Sequence, residues 1–136
     1  MALNNPRAHY NDANSYLVGA IPFTTSSLVV PASTGDPLTV SFPLVTQFVT
    51  VRCDDPTNAV RVGFSANGVK ATEQNNYFTL TSSGSYTGEF RVARIYLLSD
   101  TTSASTATVI AGLTPAAAGQ VASGIINNWS GSSGVG

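Results

Sequence analysis

Charged residues are scarce in this chain of 136 residues. Asp, Glu, Lys and Arg together make up 10% of it, and six cations against seven acids leave a net charge of −1. A typical globular domain has about a quarter charged residues. Because proteins that hold phosphate backbones need a clustered surplus of Lys and Arg, this composition argues against nucleic acid as a partner. So little charge also means little self-repulsion, which favours permanent assembly over a monomer solubilised by Ser, Thr and Asn.

Cysteine and histidine occur once each, as Cys53 and His9. A lone cysteine rules out an intrachain disulfide, and one residue of each type does not supply the clustered ligands of a zinc site. Nucleophilic catalysis needs a base beside the nucleophile, and His9 lies in an N-terminal stretch without periodic structure. Glu73 and Glu89 are the nominal pair for glycoside hydrolysis, but in or beside loops they are more simply solvated surface acids. We therefore expect no enzyme, no cofactor, no metal and no small-molecule substrate.

Long apolar runs are missing as well. No window approaches the roughly 20 apolar residues that span a bilayer, so we expect no membrane span. Residues 1–16 are polar and lack the apolar segment of a secretory signal peptide. We therefore expect a chain without a signal peptide that is made in the cytoplasm.

What the chain does contain is a series of short segments of β-formers. Between residues 21 and 113, such segments alternate with loops of Gly, Ser, Asp and Pro. This pattern predicts an all-β sandwich of about eight antiparallel strands, of single jelly-roll or Greek-key type. The predicted strands are 21–30, 38–42, 45–53, 59–65, 77–81, 89–100 and 106–113, with a short polar strand after residue 68. No segment before residue 114 has a helical period.

Two connections are assigned from their turn residues. Asn67-Gly68 predicts a hairpin turn, because both residues tolerate positive φ. Residues 82–88 are predicted to form a loop. Pro43 cannot donate to a strand ladder, so it marks an edge, a bulge or a corner.

The segment 89–100 is predicted to be a central strand, because it has the longest run of β-formers and two of the six cations. Its alternation changes phase, since Arg94 falls on the face that Phe90 occupies. Two interpretations follow: a β-bulge near residues 93–94, or a strand covered on both faces from Ile95 onward. The bulge is favoured because it keeps Arg94 in water, and a buried guanidinium cannot neutralise itself.

Residues 45–53 divide between the two faces of a strand. One face is predicted to be buried, which makes Cys53 a small core residue. The buried set is Val45, Val49, Val51 and Cys53, and the opposite set is Thr46, Phe48, Thr50 and Arg52.

Asp36, Asp54, Asp55 and Asp100 fall in loops between predicted strands. A β-sandwich gathers its loops at its two ends, so these carboxylates could meet and bind calcium. Asp next to Pro, Thr or Asn is also ordinary turn chemistry. Turn chemistry is the favoured interpretation, and calcium stays open as the alternative.

The chain divides into an N-terminal arm (1–20), the β-sandwich (21–114) and a C-terminal tail (115–136). Aromatic residues of the arm either anchor on a neighbouring subunit or pack across their own sandwich. Large apolar residues in the glycine-rich tail are expected to dock on a surface. Together with two cations of the central segment, they give the candidate contact residues Tyr10, Tyr16, Arg91, Arg94, Ile125, Ile126 and Trp129.

The succession of VRVGFSANGV (60–69), YFTL (77–80), GEFRVARIYLLSD (88–100) and ATVIAGLT (107–114) resembles small single jelly-roll proteins of virions. These include penton and minor capsid proteins of large double-stranded DNA viruses and small phage head proteins. The resemblance implies a structural penton, minor capsid or cement protein that acts through subunit contacts in an icosahedral shell. It also implies a homo-oligomer, pentamer or trimer, with other capsid proteins as partners, located in the virion after synthesis in the host cytoplasm.

An alternative function is a carbohydrate-binding β-sandwich of a virion surface or fibre. Exposed aromatic rings serve sugar-binding proteins as platforms. The candidate rings are Tyr77, Tyr86, Tyr96 and Trp129, of which Tyr86 lies in a predicted loop.

Overall fold

The computed structural model describes residues 20–71 and 75–117. This part of the chain contains eight strands and one short helix, in the order β1 (Ile21–Val30), β2 (Leu38–Ser41), β3 (Leu44–Cys53), β4 (Val60–Gly63), α1 (Ala66–Lys70), β5 (Tyr77–Leu80), β6 (Ser85–Gly88), β7 (Arg94–Ser99) and β8 (Ser105–Ala117).

The strands form two antiparallel four-stranded sheets. The first sheet has the order β1-β8-β3-β6 and the second has the order β2-β7-β4-β5. The first strand pairs with the last and the second with the second to last, and the same nesting joins β3 to β6 and β4 to β5. The chain is thus one long antiparallel ribbon wrapped across two sheets, which is the jelly-roll arrangement. The predicted all-β sandwich of about eight antiparallel strands is confirmed.

Small branched side chains fill the space between the sheets. On β3, Val49, Val51 and Cys53 are at most 3% exposed and belong to one buried cluster with Val109 of β8 and Leu97 of β7. Residues that alternate along a strand share one face, so this valine-rich face of β3 packs the first sheet against the second. The assignment of Cys53 to the core is confirmed.

Aromatic rings close the two open sides of the sandwich. Phe23 of β1 meets Phe42, which follows β2, edge to face with ring centroids 5.1 Å apart. On the opposite side, Phe78 of β5 lies 4.9 Å from Tyr86 of β6. Each pair joins an edge strand of one sheet to an edge strand of the other, and tilted or edge-to-face rings are the favoured geometry for such contacts.

The central segment differs from its prediction. The strand β7 begins only at Arg94, and residues 89–93 form the connection from β6. β7 does lie inside its sheet, between β2 and β4, and its pairing with both neighbours shows no register shift. The favoured β-bulge was therefore wrong. The alternative, a strand covered on both faces, holds at Leu98. This residue lies on the face opposite Leu97 and is 0% exposed, because α1 packs over that face.

The predicted hairpin at Asn67-Gly68 was also wrong, because these residues lie in α1. Ser65 caps the helix, and its hydroxyl accepts a hydrogen bond of 3.0 Å from the Gly68 amide. The helix ends at Ala71 in the left-handed conformation, with φ of 59°. Val69 is 0% exposed and lies directly over Gly63, where a Cβ would overlap its Cγ2. The missing side chain of Gly63 is what lets the helix approach β4 this closely.

The segment predicted as a loop at 82–88 contains the edge strand β6, which pairs with β3. The sequence of β6, Ser-Tyr-Thr-Gly, has no alternation of apolar and polar residues. Ser85, Tyr86 and Thr87 are all exposed. The turn before it uses Ser83 in the left-handed conformation, with φ of 60°.

Thr46 was assigned to the outer face of its strand, and this too was wrong. Register shifts on both sides of it turn its side chain inward, and it is 1% exposed. The Thr46 hydroxyl accepts a hydrogen bond of 3.1 Å from the Val92 amide and donates to the Phe90 carbonyl at 2.5 Å. It therefore fixes the connection from β6 to β7. The chain changes sheets between β2 and β3, so Pro43 marks a corner.

Candidate interaction surface

Most of the candidate contact residues lie outside the described residues: Tyr10, Tyr16, Ile125, Ile126 and Trp129, as does His9. Arg91 is exposed in the connection from β6 to β7 rather than on a strand. Arg94 is half-buried at the first residue of β7 and is engaged within the chain. The two cations are thus not equivalent, and Arg91 is the one that faces solvent.

The outer faces of the two sheets differ. On the second sheet, α1 covers the outer face at β4 and β7. On the first sheet, the strand residues of the outer face include a cross-strand row of Thr24, Ile110, Thr50 and Thr87. Within the described strands, Arg52 is the one charged residue on that face. The first sheet therefore presents a nearly uncharged surface of threonine and apolar side chains.

Exposed large apolar side chains concentrate on the first sheet. Those of the described residues are Ile21 at 47% and Val29 at 67% on β1, Tyr86 at 48% on β6, and Ile110 at 42% on β8. Scattered exposed apolar residues are normal on any protein. All four belong to strands of the first sheet, but they do not share one face. Ile110 lies on the outer face opposite Thr24 and Thr50, whereas Ile21 and Tyr86 pair with the core residues Leu113 and Val51 and are exposed at the sheet edges.

One side of this sheet carries a compact aromatic group. The Tyr86 ring stacks on Phe90 at 6.3 Å, and Phe90 meets Phe64 at 4.8 Å. The Phe90 ring lies over Gly88, where an added Cβ would overlap it. These contacts hold the exposed Tyr86 ring in place. The chain neighbours of Phe90, Glu89 and Arg91, are both exposed.

The candidate calcium carboxylates are held by separate partners. Asp36 pairs with Lys70 at 3.0 Å, Asp100 pairs with Arg61 at 2.6 Å, and Asp54 pairs with Arg52 at 2.6 Å. The Asp55 carboxylate accepts hydrogen bonds from the next loop residues. Among residues 20–71 and 75–117, no group of three or more His, Cys, Asp and Glu could hold a metal ion. These contacts favour the turn interpretation.

Two of these carboxylates, Asp54 and Asp55, have a lowered pKa. A hydrogen bond from the Thr108 hydroxyl, at 2.6 Å, and the Arg52 guanidinium hold the pKa of Asp54 below its ordinary value. Backbone amides of Thr57 and Asn58, each 2.8 Å from one carboxylate oxygen, lower the pKa of Asp55. Hydrogen bonds to the charged form are a standard cause of such a shift.

These shifts predict loss of stability in acid. A carboxylate with a folded pKa below its unfolded value of about 3.8 stabilises the fold above that pH, and the contribution is lost as pH falls through the folded pKa. We expect the free energy of unfolding, measured by urea titration, to decrease as the pH is lowered below about 4. Thr108→Val, which removes the main hydrogen bond to Asp54, should make this fall shallower. Equal pH dependence in both proteins would contradict the assignment.

The sugar-platform candidates are placed unevenly. Tyr86 is exposed, but on strand β6 rather than in a loop. The ring of Tyr77 lies under the Arg61 guanidinium, 4.7 Å from it, and Tyr96 is half-buried. Trp129 lies outside the described residues. Tyr86 is thus the described candidate with an accessible ring.

Comparison of the chain with protein-family models and with curated proteins gives no match. Within the part of the chain that the structure describes, no helix has the length and apolar character needed to cross a membrane.

Proposed function

We propose that this chain is a structural virion protein, a penton, minor capsid or cement component, that acts through subunit contacts in an icosahedral shell. The observation that carries the proposal is the concentration of exposed apolar side chains on one sheet of a jelly roll. Jelly rolls are a recurrent architecture of capsid proteins. A fold of this kind can place one sheet against neighbours while a helix of the same chain covers part of the other.

Charge supports the same proposal. The described charged residues are largely paired within the chain, and the net charge of −1 gives copies little reason to repel one another. Interface cores are depleted of charged residues, as is the outer face of the first sheet. A pentamer or trimer with further capsid proteins as partners is the assembly we propose, located in the virion.

Deleting residues 1–16 should reduce assembly while leaving the sandwich folded. The segment contains Tyr10 and Tyr16, which we propose as anchors on a neighbouring subunit, and every described strand lies after it. Particle formation is measured by sedimentation and electron microscopy, and the fold by circular dichroism. Deleting residues 131–136, which include no aromatic residue, is the matched control. Full assembly of the chain without residues 1–16 would contradict the role of the arm.

Carbohydrate binding is the second candidate, and the exposed ring of Tyr86 is the observation that favours it. Aromatic rings bind the apolar faces of sugars, so a glycan array with the intact protein tests this directly. Binding that is lost in Tyr86→Ala would support it. An array without a binder would remove it.

A further inference from the structure

We propose that the side of the first sheet formed by Tyr86, Glu89, Phe90 and Arg91, which we call the β6 flank, binds a second copy of this chain through a twofold axis. In this contact, Glu89 of each copy pairs with Arg91 of the other. The inference deepens the proposed function and rests on its claim that the chain assembles with itself. It names which surface two copies share.

The first argument comes from charge pairing. Across residues 20–71 and 75–117, Glu89 and Arg91 are the charged side chains that make neither an ion pair nor a hydrogen bond, and they do not pair with each other. Every other charged side chain of this part is engaged: Arg52, Asp54, Asp55, Arg61, Asp100, Lys70, Asp36 and Arg94. In a chain with so few charges, two unpaired charged residues on either side of Phe90 single out this segment as a candidate contact site.

The second argument comes from the aromatic group that includes Phe90, the residue between Glu89 and Arg91 in the chain. Tyr86 is 48% exposed, and its ring stacks on Phe90, which in turn is held by Phe64 and by the bare backbone of Gly88. A ring fixed in this way loses little conformational freedom on binding. Aromatic and arginine residues are the types enriched at interface centres. The β6 flank has both.

The signs of the charges identify the occupant. The flank carries one carboxylate and one guanidinium, so a strongly acidic or strongly basic partner would place like charges together. A second copy in a twofold arrangement does not, because residue i of one copy faces residue j of the other and the reverse pair follows by symmetry. Among the described strands, β6 is an edge strand that pairs with β3, and no other described strand occupies its outer edge.

Charge reversal tests the pairing. Glu89→Arg gives each flank two cations, and Arg91→Glu gives each flank two anions. Each single variant should weaken the contact between copies by about 100-fold, since like charges face each other across it. The double variant Glu89→Arg/Arg91→Glu exchanges the signs and should associate like the original protein. Equal amounts of the two single variants, mixed, should form a one-to-one complex. Sedimentation velocity on the full-length chains measures each species.

Asp36→Arg is the matched control. It changes the net charge by the same amount as Glu89→Arg, but Asp36 lies in the loop between β1 and β2 and its side chain is 95% exposed. It should leave self-association unchanged. Circular dichroism and thermal unfolding of the Glu89 and Arg91 variants should match the original protein, because these side chains make no ion pair in the described fold. Asp36→Arg removes the exposed ion pair with Lys70, which contributes little to stability, so the control should also stay folded.

The outcomes separate the two proposals. Single variants that associate as tightly as the original protein would overturn the β6 flank while leaving shell assembly in place. Failure of the double variant or of the mixture to restore association would overturn the reciprocal pairing. A chain that is monomeric at every concentration would overturn this inference together with its premise. Pairing that follows the charge pattern, in a protein that never builds particles, would support the flank and contradict the shell.

Discussion

Replacing Leu98 with alanine should lower the free energy of unfolding by about 3 kcal/mol, the usual loss for a fully buried leucine. Leu98 is 0% exposed, although it points away from the core between the sheets. Its burial depends on α1, which packs on β4 and β7. The truncation would leave a cavity between the helix and the sheet. Urea denaturation monitored by far-ultraviolet circular dichroism gives the free energy of unfolding.

Ile110→Ala is the comparison that makes this test specific. Ile110 also lies on the outer face of a sheet, but on the first sheet, where it is 42% exposed. Because a large part of its surface stays in water, its truncation should cost clearly less than that of Leu98, about 1 kcal/mol. Similar losses for Leu98→Ala and Ile110→Ala would show that α1 does not cover the second sheet as described.

Gly63→Ala should destabilise the fold by about 2 kcal/mol, because a methyl group forced into a filled space moves its neighbours. The new Cβ would overlap Cγ2 of Val69 and lie 3.0 Å from the Asn76 carbonyl oxygen. Val69 is 0% exposed and has no room to turn aside within its packing. The helix must therefore lift from β4, and hydrogen exchange at the Gly68 amide should accelerate with it.

Gly35→Ala is the control for the Gly63 substitution. At Gly35 the nearest atoms to a new Cβ are the Ala32 carbonyl oxygen at 3.4 Å and the Pro31 Cβ at 3.5 Å. These are close to ordinary contact distances, so the substitution should change stability by less than about 0.5 kcal/mol. If Gly63→Ala were equally mild, α1 would not be seated over β4.

The parts of the fold that follow from sequence are those set by local alternation. The valine and threonine pattern of residues 45–53 predicts β3 and places Cys53 in the core, because a period of two exposes one face and buries the other. Pro43 marks the change of sheet, since it cannot continue a ladder. The nested jelly-roll pairing was among the predicted types because about eight such segments have few other compact arrangements.

The parts that sequence does not predict depend on tertiary contacts. Asn67-Gly68 suits a hairpin turn, and here it lies in a helix because Ser65 caps it and Gly63 leaves space beneath Val69. β6 was missed because an edge strand of Ser, Tyr, Thr and Gly lacks an apolar face. The phase change before Arg94 was assigned to a bulge, although the strand simply begins there.

The candidate surface was predictable only in part. Arg91 was among the residues proposed from sequence, and Tyr86 among the sugar-binding alternatives. Glu89 was considered only as a nominal catalytic acid. Which charges remain unpaired depends on partners distant in sequence, such as the 39 positions between Arg61 and Asp100, and no local pattern encodes that. Ile110 looks like a core residue in the sequence, and its exposure follows from strand pairing, which places it opposite Thr24 and Thr50.

The most direct test is the mass of the purified full-length protein in solution, measured by light scattering on a sizing column across a range of concentrations. The account predicts a discrete oligomer, well above the monomer mass of 14.0 kDa. The β6 flank, as a twofold contact, would join one trimer or pentamer to the next rather than the subunits within it. A species of 14.0 kDa at every concentration would contradict a function carried by contacts between copies.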